Sequence, residues 1–111
     1  MNTYQVGSLV TVSNTDYSSV GFLETATNSL ADPAVVTLSV SIGEQAPVVS
    51  TWTSGGGSVG PYTIVQTGLG QFQAELDTTG QLAEWIYTWA GSGGGPQAIK
   101  SNTFSVTDYP K

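Results

Sequence analysis

Glu84-Trp85-Ile86-Tyr87-Thr88-Trp89 alternates large aromatic residues with Glu, Ile and Thr. A period of two marks a β-strand with one face buried and one face solvated. Trp85, Tyr87 and Trp89 then share a face, and each such ring buries about 150–250 Å². This face is read as the centre of a core, in preference to an exposed stripe that stacks on sugars or bases.

The same period recurs on either side. In residues 34–42, Val36, Leu38, Val40 and Ile42 point one way, and Val35, Thr37, Ser39 and Ser41 the other. In residues 70–77, Phe72, Ala74 and Leu76 alternate with Gln71, Gln73, Glu75 and Asp77. Weaker candidates are residues 4–12, residues 21–26 with Phe22 and Leu23 competing for the core, residues 48–53, residues 62–66 and residues 100–107. Asn14-Thr15-Asp16 and Asp32-Pro33 are turn starters. Residues 54–60 and 91–96 are read as Gly-rich loops. No segment sustains a helical period, although residues 76–82 leave room for one helical turn. Seven or eight short strands at this spacing make an antiparallel β-sandwich or barrel.

The chain has 111 residues, which suits one domain spanning 1–111. No internal repeat or dividing linker is visible. Only 9% of residues are charged, against about 25% in an ordinary soluble domain. The formal net charge is −6, and Lys100 and Lys111 are the two cations. Two cations cannot neutralise a row of phosphates, so nucleic acid is an unsuitable partner. An anionic membrane surface is disfavoured for the same reason. The beginning Met1-Asn2-Thr3-Tyr4 lacks a basic region followed by an apolar stretch, and no run is long enough to span a bilayer. The expectation is a protein made in a cytoplasm.

Cys and His are both absent. Disulfides, zinc ribbons and thiol chemistry are thereby excluded, and a Ser–His–Asp arrangement cannot form. Glu75 and Asp77 share one strand face about 7 Å apart, a spacing compatible with a carboxylate pair. That face is expected to be solvated, which suits a charged strand surface better than catalysis. Calcium is the one metal the composition permits, but no Asp-x-Asp-x-Asp loop occurs. Gly91-Ser92-Gly93-Gly94-Gly95 lacks the Lys-Ser/Thr of a phosphate loop. The reading is a non-enzyme without cofactor or metal.

Several segments taken together carry a resemblance. They are Tyr4-x-x-Gly7, Asp32-Pro33 before Val36-Thr37-Leu38-Ser39-Val40, Gly68-x-Gly70-Gln71-Phe72, Thr79-Gly80, Trp85-x-Tyr87-x-Trp89, Gly91-Ser92-Gly93 and Thr103-Phe104-Ser105-Val106. The pattern covers nearly the whole chain. It resembles the small immunoglobulin-like proteins encoded among the head and head–tail structural genes of tailed bacteriophages. Members usually carry more Arg, Asp and Glu, and an acidic residue commonly stands where this chain has Ser8. The resemblance implies an immunoglobulin-like sandwich and a virion component.

The expected role is that of a capsid decoration or cement protein. Its partners would be the major capsid protein or other virion proteins, and a homo-oligomer on the particle is compatible with it. A head–tail connector or tail accessory protein is the second expectation. A surface adhesion or carbohydrate-binding module, stacking on Trp52, Tyr17 or Tyr62, is the third. The residues expected to meet a partner are Trp52, Ser54, Gly55, Gly56, Gly57, Gly93, Gly94 and Gly95. The N-terminal strand and the strand at 100–107 are candidates for edge pairing with a partner.

Overall fold

Where alternation is strongest, the strands of the computed structural model fall as the pattern requires. The structure describes residues 2–16, 21–24, 29–92 and 99–107. In chain order the strands are β1 (Asn2–Gln5), β2 (Leu9–Ser13), β3 (Leu23–Glu24), β4 (Ser29–Leu30), β5 (Val35–Ile42), β6 (Val48–Thr53), β7 (Gly57–Val59), β8 (Ile64–Gly68), β9 (Gln71–Asp77), β10 (Ala83–Ser92) and β11 (Ile99–Thr107).

One sheet has the order β1-β11-β10-β5-β6-β7, the other the order β2-β9-β8, and β3 and β4 form a small ribbon. All pairings are antiparallel except β1 with β11, which is parallel. This six-plus-three arrangement is an immunoglobulin-like sandwich of the variable type, in which two extra strands extend one sheet.

The core lies between the sheets. Val36, Leu38 and Val40 of β5 meet Trp85, Tyr87 and Trp89 of β10 within the large sheet, and Val10, Val12, Phe72, Ala74, Leu76 and Ile64 line the small one. Phe104 stacks on Trp85 at 5.5 Å, and Tyr4 of β1 meets Phe104 edge-on at 5.4 Å. The indole of Trp85 reaches back to the Gln81 carbonyl at 3.4 Å. Of the two residues competing for the core at 21–26, Phe22 is buried, and the side chain of Leu23 lies outside the described ones.

Buried polar side chains tie the layers together. Asn14 donates to the Gly70 carbonyl at 2.9 Å and accepts the Phe72 N–H at 3.0 Å. It thereby extends the β2–β9 ladder past the end of β2. The hydroxyl of Thr78 donates to the Ser8 carbonyl at 2.8 Å and accepts the Gly7 N–H at 3.1 Å. On the opposite flank, Ser50 accepts the Tyr62 N–H, and Ser58 accepts the Ile64 N–H, each at 2.9 Å. These serines close the gap between β7 and β8.

Several boundaries differ from expectation. Residues 4–12 are two strands in different sheets, because the chain reverses at Val6-Gly7-Ser8 with Gly7 at φ +92°. A Gly inside an alternating run marks such a bend. Residues 54–60 are not one loop: only 54–56 form the turn, and Gly57–Val59 pair with β6. Likewise β10 continues through Gly91 and Ser92, which pair with Val36 and Val35. Tyr62 precedes β8 instead of belonging to it. Residues 78–81 form a tight turn closed by Gln81 N–H to the Thr78 carbonyl, not a helical turn.

Candidate binding surfaces

The strand registers place the expected contact residues 54–57 at one end of the large sheet, beside the end of β10 and the start of β11. Val35 pairs with Thr53 and with Ser92, Thr53 pairs with Gly57, and Ala90 pairs with Ile99. The 54–56 turn, the entry to β5, the end of β10 and the start of β11 therefore sit together. Ser54, Gly55, Gly56 and Gly57 are exposed. The turn is held by Gly56 N–H to the Thr53 carbonyl and Ser54 N–H to the Ala34 carbonyl, with Gly55 and Gly57 at positive φ. Gly93, Gly94 and Gly95 lie outside the described residues, as does Tyr17.

Trp52 does not stand free in this group. It points inward opposite Val36 and Ser58, and its ring lies 4.7 Å from Phe72 at 60°. It is half-buried against the core and anchors the base of the turn. Tyr62 is also half-buried, and burial pushes its phenol above the usual tyrosine range. Both rings are partly covered by the core.

Outward of the large sheet lies a face of a different character. Val49, Thr51, Val35, Thr37, Ser39, Ile86, Thr88, Ala90, Ile99 and Ser101 share it, by the alternation of their strands. Thr88 and Ser101 hydrogen-bond across β10 and β11 at 2.8 Å. Ile86, Val49, Val59 and Ile99 are 39%, 52%, 71% and 78% exposed. Among the described side chains of these strands, Glu84 is the charge on this face.

The outer face of the small sheet is acidic instead. Glu75 and Asp77 are exposed on β9, opposite Thr11 and Leu9 of β2. Hydrogen bonds from the Thr79 hydroxyl and then its N–H hold Asp77 below the usual carboxylate range. Nothing gathers these carboxylates into a cleft, and among the described residues no three Asp or Glu stand close enough to hold a metal ion.

A cavity of about 250 Å³ opens between the sheets on the β1/β2 flank. Tyr4, Val10, Thr11, Val12, Asp16, Tyr87 and Phe104 line it, so that apolar side chains and polar groups share its walls. The Asp16 carboxylate accepts the Tyr87 hydroxyl at 2.6 Å and the Ser13 N–H at 2.9 Å. The turn signal at 14–16 was legible in the sequence, but the pairing with Tyr87 depends on the fold. Of the two strands expected to offer an edge, the one at 100–107 has none: β11 is flanked by β10 and β1 on its two sides.

No protein family model matches the chain, and no curated protein sequence does. Among solved structures, a marsupial T cell receptor superposes with a TM-score of 0.65 over 98% of this chain at 13% identity. The chain spans about half, 49%, of that receptor chain. The likeness is one of fold. It carries no information about a ligand.

Proposed function

We propose that this chain is a non-enzymatic binding domain of a tailed-phage virion, working as a decoration protein on the head. The observation that supports this most is the outer face of the six-stranded sheet. The whole chain carries −6, yet this face is built mainly of Thr, Ser, Val, Ile and Ala, with Glu84 its one charge among the described side chains. Poor in charge and rich in β-branched residues, it suits broad contact with another protein surface. The exposed 54–56 turn adjoins it. The phage setting rests on the sequence resemblance.

The mechanism is binding by shape. A rigid sandwich bridges neighbouring subunits of a shell, and many symmetric copies turn a modest contact into high avidity. The glycan-binding alternative loses support from Trp52, whose ring packs on Phe72. A connector role uses the same surfaces and differs in copy number.

The test is a sedimentation assay with heads that lack the protein. Saturation at hundreds of copies with improved heat resistance supports decoration, whereas saturation near a dozen supports the connector. Val49→Glu with Ile86→Glu should abolish binding and leave the fold intact. No binding to heads overturns the reading.

A further inference from the structure

The sandwich is sealed on one flank and open on the other. Ser50 and Ser58 bridge the β7/β8 side, whereas the β1/β2 side holds the 250 Å³ cavity. At its mouth lies β2, an edge strand of the small sheet.

The ladder fixes which groups of β2 are spare. Thr78 N–H bonds to the Ser8 carbonyl, and Asn14 N–H to the Phe72 carbonyl, so the even-numbered residues face β9. By antiparallel alternation, the main-chain groups of Leu9, Thr11 and Ser13 face outward. The Ser13 N–H is taken by Asp16. The N–H and C=O of Leu9 and Thr11 have no partner among the described residues. Leu9 is 65% exposed.

Other edges carry features that discourage pairing. β7 has three residues, β1 has four, and β8 has a register shift between Gln66 and Gly68. Short strands and bulges blunt an edge, as do Lys and Pro. Leu9-Val10-Thr11-Val12-Ser13 has no bulge, charge, Gly or Pro, and two of its residues are Val.

We propose that β2 accepts an extended basic segment of another protein as an added antiparallel strand. Residues opposite Val10 and Val12 would enter the cavity against Tyr4, Tyr87 and Phe104. Residues opposite Leu9 and Thr11 would lie on the outer face. There they stand two strand spacings, about 9.5 Å, from Asp77 and Glu75, within reach of Lys or Arg. Apolar residues alternating with Lys or Arg fit both faces. A second copy of this chain fits less well, since it would add another −6 and two cations at most. The inference stands apart from the virion reading, because it concerns a different sheet.

The probe is an acetylated, amidated Lys-Val-Lys-Val-Lys-Val-Lys peptide, with Glu-Val-Glu-Val-Glu-Val-Glu as control. Binding of the Lys peptide should slow amide exchange at Leu9 and Thr11. Thr11→Pro removes an outward N–H and no internal ladder bond, so it should fold and lose the peptide. Leu9→Pro gives the same test at the start of the strand should Thr11→Pro unfold. Glu75→Gln with Asp77→Asn should weaken binding about three- to tenfold. The proposal is overturned by equal binding of the Glu peptide, by full binding to a folded proline variant, or by unchanged exchange at Leu9 and Thr11 at millimolar peptide. Concentration-dependent protection of both amides without peptide would overturn it too, and would assign the edge to a second copy.

Discussion

The phenol of Tyr87 donates a 2.6 Å hydrogen bond to Oδ2 of Asp16, joining the middle of β10 to the turn after β2 across the sandwich. Bonds to a charged acceptor are stronger than neutral ones. Tyr87→Phe keeps the ring and removes this donor. It should cost about 1–2 kcal/mol in urea denaturation, with the slope of the transition unchanged.

Asn14 is 3% exposed and makes both of its bonds to the backbone around β9. Asn14→Leu leaves the Phe72 N–H without its partner, while the Gly70 carbonyl keeps the Phe22 N–H at 2.8 Å. A loss of about 1–3 kcal/mol follows, the cost of one buried orphan. Thermal melting followed by tryptophan fluorescence reads it.

Two glycines with similar φ should respond very differently. Gly70 has φ +68° and Gly80 φ +74°. A Cβ at Gly70 would come within 2.7 Å of the Phe22 carbonyl and 2.8 Å of the Ala31 carbonyl, both backbone atoms, whereas a Cβ at Gly80 meets open space. Gly80→Ala should cost about 1 kcal/mol, from the left-handed conformation alone. Gly70→Ala should cost at least twice as much. Equal losses would show that the backbone around Gly70 yields freely.

The lowered titration of Asp77 sets a direction for pH dependence. A carboxyl depressed in the folded state binds protons less readily there than in the unfolded chain. Its contribution is present above the ordinary carboxylate range and disappears as pH falls through the depressed value. Thr79→Val removes the hydroxyl donor and should flatten that part of the acid-side stability profile. An NMR titration of the Asp77 side-chain carboxyl should show its midpoint rising in the variant.

Trp89 Nε1 and Asn102 Nδ2 are buried donors without acceptors among the described residues, on the neighbouring strands β10 and β11. An unmade bond of this kind costs about 1–3 kcal/mol. Asn102→Val removes one such donor and suits a strand. It should raise the melting temperature by several degrees.

Legibility in the sequence followed burial. β5, β9 and β10 are covered on one face only, and that asymmetry is written as alternation at Val36-x-Leu38-x-Val40, Phe72-x-Ala74-x-Leu76 and Trp85-x-Tyr87-x-Trp89. At the margins the asymmetry fades. Val48 and Val49 are both exposed in β6, and Gly57–Val59 has a glycine and two small side chains, so β7 was hidden inside a Gly-rich stretch. The run at 4–12, a weaker candidate, read as one strand across a change of sheet, because Tyr4, Val6, Val10 and Val12 all pack in or against the core. Only Gly7 signalled the reversal. The N-terminal run was legible as a candidate edge, but that β2 carries an open edge of its own was not: it exists because β1 leaves β2 and joins β11. The partner of Trp52 was beyond the sequence for a related reason: Phe72, on which its ring packs, lies in the other sheet.

The parallel pairing of β1 with β11 governs how the domain bears tension. Asn2 lies beside Phe104 and Gln5 beside Thr107, and Val6 N–H adds a 2.7 Å bond to the Thr107 carbonyl. Both strands run the same way. A pull applied before β1 and after β11 drives them past each other along their length. Their hydrogen bonds are then strained together, not opened one at a time as in a peeled hairpin. The two end strands form a shear clasp, and the small hydrophobic sandwich behind it is shielded from stretching until that clasp slips.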